Sequence, residues 1–239
     1  MQRSQMNTEW QEIVACPAWV DSGAFHRLLW NAAPVDATGV RIGIIDAAFA
    51  RDLPWHVESF GTNAPSRFAR QHGTATAHVI ASAARGAALL CASVIDATGA
   101  AASTAVAAAL RWLHGHGARV IAIPLGDDED HAEIARALDD ILSATAPPIV
   151  IASHGNAFGG SALYPARDPR VIGVGAAGSN GVLLASAARE PYPELVVPAD
   201  SSSVACAIAT AAAASVLART PDLRCGELLH TLTTARTIR

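Results

Sequence analysis

Charge is scarce in this chain. Asp, Glu, Lys and Arg make up 16% of its 239 residues, against ~25% in an average soluble protein. The net charge is −4, and no basic stripe runs along any segment. A phosphate-tracking surface is therefore excluded, and nucleic acid is not an expected partner. Cysteine is also sparse: Cys16, Cys91, Cys206 and Cys225 have no metal-ligand spacing, so free buried thiols in a reducing compartment are expected. Residues 1–14 lack the apolar core of a signal peptide. The longest apolar run is mostly alanine and makes no convincing membrane span. Together these point to a cytoplasmic chain without a membrane partner. The first strand is followed by Asp46-Ala47-Ala48-Phe49, without the glycine-rich phosphate turn a nucleotide-binding domain needs.

What the chain does have is aliphatic pattern. Apolar residues reach 51%, enough for one large buried core at this length. Residues 1–38 read as an arm packed on the core, with Trp10, Trp19, Phe25 and Trp30 scattered through it. Residues 39–239 read as one domain. Val40–Asp46 is a β-branched run ending in an acid: a buried parallel strand with a carboxylate at its C-terminal end. That acid either caps a loop or serves a site. Residues 47–71 read as loop, and His72-Gly73-Thr74 then opens a helix over 75–84.

Further strands are expected at 89–95, 120–125, 148–153, 171–174 and 195–197, and helices at 103–114, about 131–143 and 226–236. Pro124 within the 120–125 run argues for an edge or a bulge. Strands alternating with helical patterns predict an α/β, doubly wound, mostly parallel sheet flanked by helices.

Ser201-Ser202-Ser203 precedes a long alanine-rich helical segment. Such hydroxyls can simply cap the helix. A serine at a helix N-terminus can also act as a nucleophile, because the free backbone N–H groups there favour an oxyanion. Four polar residues thus stand at strand ends or helix starts: Asp46, His72, Asn156 and Ser203. A serine nucleophile needs a base, the base needs an orienting carboxylate, and the oxyanion needs donors.

The order Asp, His, Ser resembles the subtilisin-like serine proteases, and so do the surrounding segments. Ile42–Asp46 is similar to the strand that ends in the family's aspartate, and His72-Gly73-Thr74 to its HGT motif. Val120–Gly126 resembles the strand that usually reads VINMSLG. Ile151–Asn156 resembles the AAGN turn, Tyr164-Pro165-Ala166 with Val171–Ala176 resembles YPA…VIAVGA, and Ser201–Ala207 stands in the place of GTSMAAP. The resemblance implies a compact subtilisin-like fold. It also implies that Ser203 attacks, His72 shuttles the proton, Asp46 orients His72, and Asn156 with the Ser203 N–H binds the oxyanion. An extended peptide would lie between the segment Gly99-Ala100-Ala101 and Leu125-Gly126, with Ser153 and His154 near the first specificity pocket.

The departures from the family carry expectations of their own. Ser201 stands where the family has glycine, which removes the freedom to adopt positive φ before the nucleophile. Pro124 lacks a backbone donor beside the substrate. The hairpin usual between Pro198 and Ser203 is nearly absent, and the segment after the histidine helix has no oxygen-ligand cluster. No structural calcium, other metal or cofactor is expected. The stretch before Val40 is too short for the family's folding prodomain, so a mature form or unaided folding is expected. The reading is a serine endopeptidase that performs limited proteolysis on a restricted peptide or protein substrate, with a regulatory protein as a further partner. Its alternative is a catalytically silent module of the same fold that binds a peptide or a partner.

Overall fold

A computed structural model describes residues 35–61, 66–95 and 100–234. All but residues 35–38 of the expected arm lies outside the described residues. In chain order the elements are β1 (Val35–Asp36), β2 (Arg41–Asp46), β3 (His56–Ser59), α1 (Arg67–Ala83), β4 (Ala84–Arg85), β5 (Ala88–Ser93), α2 (Ser103–Gly115), β6 (Val120–Ile123), α3 (Ala132–Leu142), β7 (Ile149–Ser153), β8 (Ile172–Ala177), β9 (Leu195–Pro198), α4 (Ser202–Arg219) and α5 (Cys225–Thr234). Seven strands form one sheet in the order β3-β5-β2-β6-β7-β8-β9, and every pair in it is parallel. The short β1 pairs with β4 beside it.

The strands are continuous apolar runs because both faces of the sheet are covered. Ile42 and Ile44 of β2 point to one face, into a cluster with Ala122, Ile151, Val174, Ile80 of α1 and Ala209 and Ala213 of α4. Ile45 points to the other, with Ile121, Ile123, Val150, Leu110 and Leu113 of α2 and Leu138 and Ile141 of α3. From β2 the chain passes first to the edge strand β3, returns through β5 beside β2, and then crosses over to β6, from which it builds the other way. The direction of winding therefore reverses between β2 and β6. In a doubly wound sheet, the crevice beyond the C-terminal ends of such a pair is where ligands bind. Asp46 ends β2, and Pro124-Leu125-Gly126 follows β6 directly.

Three expectations need correction. Residues 47–71 are not all loop: β3 is an edge strand whose four residues are all exposed, so its polar composition hid it. The histidine helix starts at Arg67, before His72 rather than after it. Ser66 caps it by accepting the Ala69 N–H at 3.1 Å. Pro124 does not mark an edge. It lies just past the end of β6, which pairs on both sides with β2 and β7, so no ladder bond is lost. The other expected elements form within a few residues of their predicted bounds, and the α/β doubly wound class holds.

Candidate active site

Asp46 is fully buried at the end of β2. Its Oδ1 accepts two hydrogen bonds, from the Ala47 N–H at 2.5 Å and from His72 Nδ1 at 2.5 Å. His72 is itself buried in α1. Donation from Nδ1 to a carboxylate fixes the tautomer with the lone pair on Nε2, the form that can accept a proton. Asp46 Oδ2 is buried and has no hydrogen-bond partner.

The residues around His72 explain how a helix comes this close. A Cβ on Gly73 would lie 2.3 Å from the Ala48 carbonyl oxygen, so only glycine lets α1 press against the loop that leaves β2. Thr74 Oγ1 then accepts the Ala50 N–H at 2.9 Å and ties that loop down. The three residues of the His-Gly-Thr stretch thus divide the work among contact with Asp46, clearance and anchorage.

The serine run is divided as well. Ser201 is the N-cap of α4, at φ −150° and ψ 161°, and its hydroxyl accepts the Val204 N–H at 3.3 Å. This backbone is extended, so the expected loss of positive-φ freedom has no consequence here. Ser203, also buried, donates from its Oγ to the Pro124 carbonyl at 2.9 Å, which holds it over the end of β6. The capping role thus falls to Ser201, and the Ser203 hydroxyl makes a different contact. Asn156 lies against the same helix start, its Oδ1 accepting the Ser202 N–H at 3.4 Å. Gly155 before it has φ +102°, and a Cβ there would lie 2.7 Å from Leu163 Cγ, so the turn that aims Asn156 requires glycine.

Competing nucleophiles are disarmed. Cys206, one turn along α4 from Ser203, is fully buried, and its Sγ contacts the Ile151 carbonyl at 3.4 Å. Burial pushes the thiols of Cys206 and Cys91 up to about 12, and a thiol in that state is inert near neutrality. Among the described residues, no group of three His, Cys, Asp or Glu side chains could hold a metal ion.

The expected substrate walls fare unevenly. Gly99 lies outside the described residues. Ala100 is exposed, and Ala101 is half-buried and bridges to Ile95. Leu125 and Gly126 are buried, and a Cβ on Gly126 would meet Leu163 and the Tyr164 carbonyl. Ser153 and His154 do not line an open pocket. Both are fully buried, and His154 Nε2 donates to the Pro191 carbonyl at 2.7 Å, which turns the ring into the frame of the protein. Burial holds the His154 imidazole below its ordinary range, outweighing the Pro191 contact and the Glu194 carboxylate, which act the other way.

Sequence reasoning missed the Pro124 carbonyl, and it read the stretch after Asn156 as a Gly/Ser loop without resolving the turn at 158–160. Backbone atoms carry no sequence signal, and the turn follows no periodicity.

The subtilase family model matches residues 37–238. No curated protein sequence matches the chain. Among solved structures, the prenylagaramide maturation protease PagA is 17% identical with a TM-score of 0.65, over 85% of this chain and 83% of that one. The protease domain of PatA, solved as a point mutant, is 17% identical with a TM-score of 0.69, over 87% of this chain and 100% of that one. At this identity the likeness to both concerns the fold.

Proposed function

The chain belongs to the subtilase family of serine proteases, and from that premise we propose a serine endopeptidase that uses Asp46, His72, Ser203 and Asn156. The observation that carries this reading is the buried Asp46–His72 pair at the end of β2. It stands at the same reversal of winding as the Pro124 carbonyl that holds Ser203.

In the proposed reaction, Ser203 Oγ attacks the scissile carbonyl carbon while His72 Nε2 takes the hydroxyl proton. Asp46 holds the imidazolium in place. The oxygen that becomes negative is met by Asn156 Nδ2 and the Ser203 N–H, at the positive end of α4. His72 then passes its proton to the leaving amine. Water repeats the sequence on the acyl-enzyme and restores Ser203. The substrate is an extended peptide or protein segment, cleaved at restricted positions, with a regulatory protein as a second partner. The free, buried thiols of Cys91 and Cys206 support a cytoplasmic setting.

A fluorophosphonate probe tests the reading. Wild type is expected to label, while Ser203→Ala and His72→Ala lose labelling by at least about 10³-fold. A folded wild type that does not label would refute it. One observation favours the alternative of a silent peptide-binding module: the Ser203 hydroxyl proton has an acceptor in the Pro124 carbonyl, which competes with a base for it. In that case peptides bind with equal affinity to wild type and Ser203→Ala, and neither turns over.

A further inference from the structure

Two residues beyond Asn156 the chain makes a tight turn, Ala157-Phe158-Gly159-Gly160, closed by the Gly160 N–H on the Ala157 carbonyl at 2.9 Å. Both central residues have positive φ: +46° at Phe158 and +88° at Gly159. A turn of that kind is made at least cost by Asn-Gly, Asp-Gly or Gly-Gly. Phenylalanine is a poor choice, because its Cβ crowds the backbone in the left-handed region. Among the described residues, Phe158 is the one non-glycine with positive φ.

The ring does not compensate by packing. Phe158 is 74% exposed, more than any other large apolar side chain among the described residues. Nor can the turn relax freely. The Phe158 N–H donates to the Ser186 carbonyl at 2.8 Å and the Gly159 N–H to the Ala187 carbonyl at 2.9 Å, while the Arg189 N–H returns to the Gly160 carbonyl at 2.9 Å. The turn is therefore clamped to the 186–189 segment, and the same segment is joined to the Asn156 turn by the Ala188 N–H on the Gly155 carbonyl at 3.1 Å. A strained residue that contributes nothing to the core, on a rigid support beside a polar site, has its explanation in function rather than in folding.

We propose that Phe158 is a specificity-determining residue, whose ring receives an apolar side chain of the peptide close to the scissile bond. This rests on the reading of the site as a peptide-binding one. An aromatic ring suits that role because it offers a large apolar surface with few rotatable bonds to immobilise. The clamp has already fixed the backbone beneath it, so binding orders little else. The occupant is the substrate because the turn is continuous with Asn156, whose amide is placed at the start of α4.

The experiment uses Phe158→Asn, which installs the residue the turn prefers, and Phe158→Leu, which keeps an apolar group. A series of blocked fluorescent peptides carries Ala, Leu or Phe at each position in turn. Turnover is measured in the active protein, and affinity by anisotropy in a Ser203→Ala background. Preference for Leu or Phe over Ala at one position is expected to fall about ten-fold in Phe158→Asn and to survive largely in Phe158→Leu. The melting temperature of Phe158→Asn is expected to hold or to rise by about 2 °C. Unchanged preference in Phe158→Asn would overturn the proposal, as would a uniform loss for all peptides or a marked drop in melting temperature. If wild type fails to turn over any peptide, the endopeptidase reading fails. The anisotropy series then still decides the role of Phe158.

Discussion

The two faces of the sheet are built by different rules. On one, α2 and α3 are amphipathic layers: α3 buries 4 of its 11 residues, Ile134, Ala137, Leu138 and Ile141, and turns the rest outward. On the other, α4 buries 13 of its 18 residues, so it has no outer face to speak of. Large aliphatic side chains fill the first face, with Leu110, Leu113, Leu138 and Ile141 among the largest fully buried. On the second, α4 meets Ile42, Ile44 and Ile151 of the strands mainly with Ala205, Ala207, Ala209, Ala211, Ala213 and Ala214, which let it approach the strands and α1 closely. All the proposed chemistry except the two strand-end contributions, Asp46 and Asn156, stands on this second face. Small residues bring backbones together, and the site needs backbones and helix ends within hydrogen-bond reach of one another. The amphipathic face can be merely stable.

The sharpest way to break this contrast is at the closest backbone approach. Gly73→Ala places a methyl 2.3 Å from the Ala48 carbonyl, so α1 must withdraw and take His72 with it. We expect about 2–3 kcal/mol of destabilisation and at least about 100-fold slower probe labelling, read by melting and labelling rate. A smaller effect is expected from a matched pair of core changes. Ala209→Leu overpacks the α4 face and Ile141→Ala empties the α3 face, each at a cost of about 2–3 kcal/mol. Labelling well below the melting temperature should fall about ten-fold in the first and stay at the wild-type rate in the second. Equal losses in both would mean that the two faces do not differ in the way described.

The smallest effect concerns acid. Burial keeps the His154 imidazole below its ordinary value of 6.5 in the folded protein, so the unfolded chain binds the proton more readily. The stability this provides is complete above pH 6.5 and is lost as the pH falls from there through the folded value. His154→Asn should flatten that part of the stability–pH curve while leaving the curve above pH 7 with the same slope as wild type. A decline identical to wild type between pH 6.5 and 5 would remove His154 as its source.

The same contrast explains what could be read in advance. Strands β2, β6 and β7 were legible because buried parallel strands are short apolar runs dominated by Ile, Val and Ala. Helices α2 and α3 were legible through their periodicity. The start of α1 was hidden, because Ser66 and the residues after it look like loop until the cap is seen. β3 was hidden because an exposed edge strand has no apolar signature. At the site, Asp46, His72, Asn156 and Ser203 stood out as polar residues at expected strand ends and helix starts, although His72 lies within α1. The roles of their neighbours did not. That Ser201 caps the helix while Ser203 meets Pro124 depends on which way adjacent hydroxyls point, and three serines in a row look alike in a sequence. His154 showed the converse failure: a polar residue beside the site that folding turned inward to Pro191.

Only Ala199, Asp200 and the Ser201 cap separate β9 from α4. Where a long hairpin would let the start of α4 breathe independently, this link couples it to the sheet. Ala199 extends the β8–β9 ladder by bonding to Ala177 at 3.0 Å, and the next turn of chain is already helix. In terms of local unfolding, Ser203 stands on a stretch tied to the sheet rather than on a segment that opens on its own. Control of the proposed site by what reaches or covers it fits this link better than control by melting the piece of chain that carries Ser203.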